Sequence, residues 1–304
     1  MAGVPTFATG PGFFGLPPTD AEADYSIAGI PLDLGTTNRA GTRDAPRAIR
    51  QASRMLVDGD HPHFWVEPAA KSVSDIGDFA IALGDIPQSL KLIEDQAAGI
   101  GHLLALGGEH GITLPLLRAL HRRLGMPIGL VHFDAHVDTW PDNFGQRFGH
   151  GSVFFHAINE GLIDPARMVQ IGIRSPVQRA VWDWTRNQGV TIIPAEEVHL
   201  SGPIEIARRV RKIVGTDPTY LSFDIDVLDP SAAPGTGTPE IGGLASWQAQ
   251  AILRRLIGVD FVGMDVVEVA PAYDVAEITA LAAATVVWEY LALLEHDHVP
   301  APGL

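Results

Sequence analysis

The stretch VHFDAHVDTW, residues 131–140, sets Asp134, His136 and Asp138 on every second position. In an extended chain, side chains at i, i+2 and i+4 share one face. The three would therefore project together if a strand ran on past Phe133. Carboxylates with one imidazole form a ligand set for Mn²⁺, Zn²⁺, Ni²⁺ or Fe²⁺. A second stretch, SFDIDVLDP at 222–230, repeats the pattern with Asp224 and Asp226. Four carboxylates and a histidine at two strand ends would repel one another, and two divalent ions would neutralise them. Acids at strand ends also cap helices or meet solvent, the plainer account of either stretch alone. DIDVLD loosely resembles a calcium loop, but it lacks Gly at the sixth position and Glu at the twelfth.

Two further histidines fit the same chemistry. LALGGEHGITLP (104–115) places His110 after a strand-like run and a glycine pair that permits a tight turn. It offers a sixth ligand. FGHGSVF (148–154) places His150 between glycines, in what reads as a flexible, exposed loop. A loop histidine is ordinarily solvated, yet its closeness in sequence to the first cluster suits a proton shuttle.

These residues need a rigid frame. Short apolar runs at 25–33, 101–108, 127–134, 168–175, 190–195, 219–226 and 261–269 read as strands. Helical patterns fall at 44–56, 114–124, 246–257 and 278–294. Asp44 and Pro46 open the first of them, and Asp274 with Glu277 approximates a capping box for the last. Strands separated by helices imply βαβ units. The expected fold is α/β, a three-layer α/β/α sandwich around a mainly parallel sheet, with the site at the carboxyl ends of the strands. Residues 1–23, rich in Pro and Gly, read as an irregular arm, and 24–304 as a single domain.

Composition narrows the function. The chain has 304 residues, 46% of them hydrophobic, enough for a substantial core. A net charge of −15 argues against a nucleic-acid or anionic-membrane surface and suits both solubility and a cationic substrate. The chain has no cysteine, which excludes thiolate chemistry and disulfides. The first basic residue is Arg39, so no secretory n-region is read. The apolar run 278–288, bounded by Glu277 and Glu289, is shorter than the roughly 20 residues of a membrane span. A cytoplasmic location is expected. PGTGTP (234–239) has no phosphate-loop lysine and reads as a turn framing the site entrance. His61, His63, His296 and His298 read as solvated.

The segments GGEH, FDAHVD, GHGS and SFDIDVLDPSAAPGTGTPEIGG resemble the signatures of the ureohydrolase (arginase/agmatinase) family. GIPLDLGTTNRAGTRDAPRAIR and DVVEVAPAYDVAEITALAAA extend the likeness from about residue 25 to 290. The details are nearer to agmatinases and guanidino-acid hydrolases such as guanidinobutyrase than to arginases. The resemblance implies a parallel sheet of about eight strands and two Mn²⁺ ions, with Ni²⁺ as an alternative. One ion would be held by His110, Asp134, Asp138 and Asp224, and the other by Asp134, His136, Asp224 and Asp226. His150 matches the catalytic histidine and Glu268 the acid that receives the guanidinium group; Asp138 is counted with them. The implied reaction is hydrolysis of a small cationic guanidino compound to urea and an amine. Agmatine, guanidinobutyrate, guanidinopropionate and smaller guanidines or biguanides are the candidate substrates. A homotrimer or homohexamer is implied, with a hetero-oligomer left open.

Two positions depart from the family pattern. Glu109 stands where Asp is usual, which would shift the geometry behind the ligands. Asp44–Ala45 replaces a bulky residue followed by Gly. Asp44 either favours a helix N-terminus or lies near the entrance for an unusual cationic substrate. Two rival functions stand beside the leading one. One is a deacetylase-like zinc amidohydrolase, and the other a non-catalytic partner subunit.

Overall fold

A computed structural model describes residues 10–17, 19, 23–70 and 72–296. Most of the expected arm's first residues, and His298, lie outside the described residues, as does the side chain of His296.

The apolar runs form one eight-stranded sheet, parallel throughout, in the order β2-β1-β3-β8-β7-β4-β5-β6. Its strands are β1 (Tyr25–Ile30), β2 (Val73–Asp78), β3 (Leu103–Gly107), β4 (Ile128–Phe133), β5 (Ile163–Ile173), β6 (Thr191–Pro194), β7 (Thr219–Asp224) and β8 (Phe261–Val267). The central strands β3, β4 and β7 are buried at every position. Burial on both faces is why they read as continuous apolar runs rather than as alternating ones.

Alternate strand residues feed two separate cores, one on each face. Leu104, Leu106, Val131, Phe133, Leu221 and Phe223 pack with α1 (Ala45–Ser53), α6 (Ala195–Val214), α7 (Ser246–Leu253) and α8 (Ile278–His296). Leu103, Ala105, Ile128, Leu130 and Tyr220 pack with α2 (Ile86–Ala97), α3 (Thr113–Leu124) and α4 (Val153–Asn159). A further helix, α5 (Arg179–Asn187), follows β5. The architecture is the three-layer α/β/α sandwich.

Some local features were not expected, and some local expectations need correction. The edge strand β2, VSDIGD, gave no apolar signal because acids hold it in place. Arg50 of α1 donates to Asp75 Oδ1 and Oδ2 at 2.9 and 2.8 Å and to Asp78 Oδ1 at 2.5 Å. The arm is anchored where it is described. Phe13 and Phe14 are buried, and the Phe13 N–H donates to Asp75 Oδ2 at 2.7 Å. His61 is buried rather than solvated, its Nε2 3.0 Å from Glu289 Oε2 and its ring stacked on Phe64. The Asp274–Glu277 capping box does not form. Asp274 instead accepts from the N–H groups of Thr279 and Ala280, and Glu277 adopts a left-handed φ of 60°.

α8 continues through Glu289 and is long and apolar enough to cross a bilayer, so length does not exclude a membrane span. Its burial supplies the missing reason: 67% of the apolar window is packed inside the protein. Glu289 is ion-paired there with Arg254.

Candidate metal centre and substrate cavity

Four adjacent strands, β3, β8, β7 and β4, end at the site. His110 follows β3 and opens a short 3₁₀ turn leading into α3. Asp134, His136 and Asp138 follow β4, Asp224 closes β7, Asp226 lies in the 3₁₀ turn after it, and Glu268 follows β8. The structure brings all six expected ligands together, with His150 and Glu268 beside them.

The route to convergence differs from the extended-strand argument. β4 stops at Phe133, and Asp138 turns back with a φ of 47°. Asp226 sits in a helical turn whose N–H donates to Asp224 Oδ1 at 2.9 Å. Glu268 also has a left-handed φ, 66°. Such backbone in non-glycine residues costs of order 1–3 kcal/mol and concentrates at functional sites.

The glycine pair serves close approach, not a tight turn. A Cβ on Gly108 would lie 2.1 Å from Leu32 O, and one on Gly107 2.7 Å from Val267 Cγ1.

Hydrogen bonds fix how His110 faces the carboxylates. The Ser222 hydroxyl donates to Asp265 Oδ1 at 2.7 Å. The Ser222 oxygen is then the acceptor for His110 Nε2–H, 2.9 Å away. That leaves the His110 Nδ1 lone pair buried and without a hydrogen bond. It faces Asp138 Oδ2 at 2.9 Å, Asp134 Oδ2 at 3.2 Å and Asp224 Oδ2 at 3.3 Å. His136 Nδ1 faces Asp226 Oδ2 at 3.0 Å and Asp134 Oδ1 at 3.2 Å.

These are two adjoining nests of imidazole nitrogen and carboxylate oxygen, with Asp134 common to both. Burial opposes charge on the two rings, but the carboxylates outweigh it and push both well above the usual histidine range. Positive charge is therefore favoured at each Nδ1. Burial pushes Asp224 well above the usual carboxylate range, helped by Asp226 and Asp134. A buried cluster with this much like charge and this donor chemistry fits two divalent ions.

His150 is not in an exposed loop. It is 8% exposed and opens the short 3₁₀ turn before α4. Its Nδ1 lies 3.0 Å from Glu268 Oε1, and its Nε2 2.8 Å from Thr37 Oγ1. Burial works against its charge, but the Glu268 carboxylate prevails and raises its pKa to about 9. Glu268 Oε1 also accepts from the His110 N–H at 2.7 Å. Its Oε2 is buried with no hydrogen bond.

Glu109 supports this arrangement. Fully buried, it accepts the Gly35 N–H at Oε2, 2.6 Å away, and so ties down the loop that carries Thr37. Burial pushes its pKa up to about 8.

A cavity of about 700 Å³ opens over the centre. Its walls include Arg39, His136, Trp140, Phe144, His150 and Glu240. Thr238 and Pro239 of the expected entrance turn also line it. Asp44 does not line it, and its side chain makes no capping bond to α1. Sequence reasoning missed Thr37, Glu240 and His132. His132 was open to detection, because it precedes Asp134 and His136 on the same two-residue period.

The parallel sheet with acids and histidines gathered at its carboxyl edge defines an α/β protein with a candidate metal site at the carboxyl ends of its strands. Comparison with known sequences narrows this. The profile of the arginase family matches residues 23–292, and the chain belongs to that family. It is 46% identical to guanidinopropionase of Pseudomonas aeruginosa over 301 residues, covering 97% of this chain and 92% of that protein. It is 47% identical to agmatinase of Sodalis glossinidius over 290 residues, covering 92% and 91%. Among solved structures it is similar to a hypothetical agmatinase from Burkholderia thailandensis (TM-score 0.89, 42% identity, 95% of this chain and 92% of that one). It is also similar to proclavaminate amidino hydrolase from Streptomyces clavuligerus (TM-score 0.91, 38% identity, 97% and 100%).

Proposed function

We propose that the protein is a hydrolase that splits a guanidino compound into urea and an amine. The carrying observation is the pair of nests around His110 Nδ1 and His136 Nδ1, next to the unpaired Glu268 Oε2. His110, Asp134, Asp138 and Asp224 would hold one divalent ion, and Asp134, His136, Asp224 and Asp226 the other. Mn²⁺ is the proposed metal, with Ni²⁺ the alternative. Such a pair supplies Lewis acidity and lowers the pKa of water from 15.7 towards about 7.

The chain supplies the rest. A guanidinium is planar and delocalised, and so a poor electrophile. Glu268 Oε2 accepts charge-assisted hydrogen bonds from it and fixes its carbon above the centre. Water's oxygen bonds to that carbon and the C–N bond breaks, which leaves an amine nitrogen that needs a proton. His150 carries that proton and stands 2.8 Å from Thr37 Oγ1 on the cavity wall. Delivery from His150 completes urea and the free amine.

Agmatine, guanidinobutyrate and guanidinopropionate are the leading substrates, since relatives named for agmatine and guanidinopropionate stand equally near. Smaller guanidines and biguanides are the less usual choices. Intact ligand positions, together with His150 and Glu268, argue against a non-catalytic subunit. A homotrimer or homohexamer is part of this reading. The test is urea release from a panel of guanidino compounds after metal-free protein is reloaded with Mn²⁺ or Ni²⁺. Turnover of one panel member with one metal supports the proposal; no urea from any member with either metal overturns it.

A further inference from the structure

His132 lies on β4, two residues before Asp134, and is fully buried. Its Nε2 is 2.8 Å from Asp134 Oδ2. Its Nδ1 is 3.2 Å from the side-chain nitrogen of Gln170, a fully buried residue of β5. Gln170 Nε2 also donates to the Val137 carbonyl at 2.6 Å. That carbonyl accepts only, so it fixes the amide with its NH₂ towards His132. The Gln170 amide then donates its second N–H to His132 Nδ1. An imidazole that accepts at Nδ1 carries its hydrogen at Nε2. His132 is thereby set as a donor aimed at Asp134 Oδ2.

Asp134 is the carboxylate common to both nests, and Oδ2 is the oxygen that faces His110. Its Oδ1 accepts the His136 N–H at 2.5 Å. Apart from the His110 and His136 ring nitrogens that they face, Oδ1 is thus held by the His136 N–H and Oδ2 by His132. Phe154 packs on the His132 ring at a centroid distance of 4.4 Å and limits its rotation.

We infer that His132 is a positioning residue for the metal centre, its donor tautomer imposed by Gln170, and that it orients Asp134 between the two cations. Both nitrogens of His132 are committed, so it does not ligate an ion itself. The inference rests on the two-cation reading above. Hydrogen-bond partners of metal ligands are commonly worth 10–100-fold in metal affinity.

The test is equilibrium dialysis of metal-free protein against Mn²⁺, with metal content read by elemental analysis and folding by the Tm of the metal-free form. His132→Phe keeps the ring and removes the donor. It is expected to weaken Mn²⁺ binding 10–100-fold with Tm nearly unchanged. His132→Gln places an amide N–H near the lost Nε2–H and is expected to recover most of the affinity. If His132→Phe unfolds, Gln170→Leu serves instead, with about a tenfold weakening expected. Wild-type affinity in His132→Phe, or in Gln170→Leu, overturns the inference. So does a folded His132→Gln protein as weak as His132→Phe. Wild-type protein that binds fewer than two Mn²⁺ overturns the two-cation reading itself, and this inference with it.

Discussion

Replacing Glu268 by Gln tests how the substrate is held. Oε1 accepts the His110 N–H at 2.7 Å, so the amide of the variant keeps its carbonyl there. Its NH₂ then occupies the place of Oε2, the buried atom without a partner. A guanidinium, which only donates, meets a donor where it had an anion. A hydrogen bond to a charged group is worth about 1.5–3 kcal/mol, and mismatched donors add to the loss. A total of about 3–4 kcal/mol corresponds to a 10²–10³-fold drop in kcat/KM. His150 also loses the carboxylate that lifts its pKa to about 9. A group acting as a proton donor works below its pKa. The high-pH decline in activity, expected near 9 in the wild type, should therefore move to lower pH. The assay is initial-rate urea release across pH, with metal content measured on the same samples. Activity within tenfold of the wild type, or a loss that merely follows lost metal, would refute the reasoning.

Glu109→Asp shortens the arm that holds the Gly35 N–H and, through that loop, Thr37 against His150. It is expected to lower kcat about tenfold with metal content unchanged, checked by urea assay and elemental analysis. Glu289→Leu strands the His61 and Arg254 partners of a buried acid. It should cost roughly 3 kcal/mol in denaturant unfolding, without shifting Mn²⁺ affinity. Burial lowers the pKa of His102, bonded to Tyr290, to about 4. The unfolded chain binds that proton below about 6.5, so stability falls as pH drops from 6.5 towards 4, by up to about 3 kcal/mol. In metal-free protein, His102→Gln should lose less stability than wild type between pH 7 and 5. Gly108→Ala forces a Cβ to 2.1 Å from Leu32 O. It should destabilise by about 3 kcal/mol, read as a lowered Cm.

The central strands and the site ligands were legible because β3, β4 and β7 are buried on both faces and end in acids and histidines. What stayed hidden depended in part on contacts distant in sequence and in part on local backbone geometry. β2 looked polar because its acids answer Arg50, 25 residues upstream of Asp75. α6 contains Gly202 and Pro203, which kink it and break its period. His150 looked like a surface residue because its glycine neighbours say nothing of Glu268, 118 residues later. Convergence of Asp138 and Asp226 was expected from strand alternation, yet a left-handed residue and a 3₁₀ turn achieve it.

The most direct test of the central claim is an anomalous difference map from crystals of the protein grown with Mn²⁺. The account predicts two peaks, one against His110 Nδ1 and one against His136 Nδ1, with Asp134 and Asp224 reaching both. A single peak, or peaks away from these nitrogens, would contradict it.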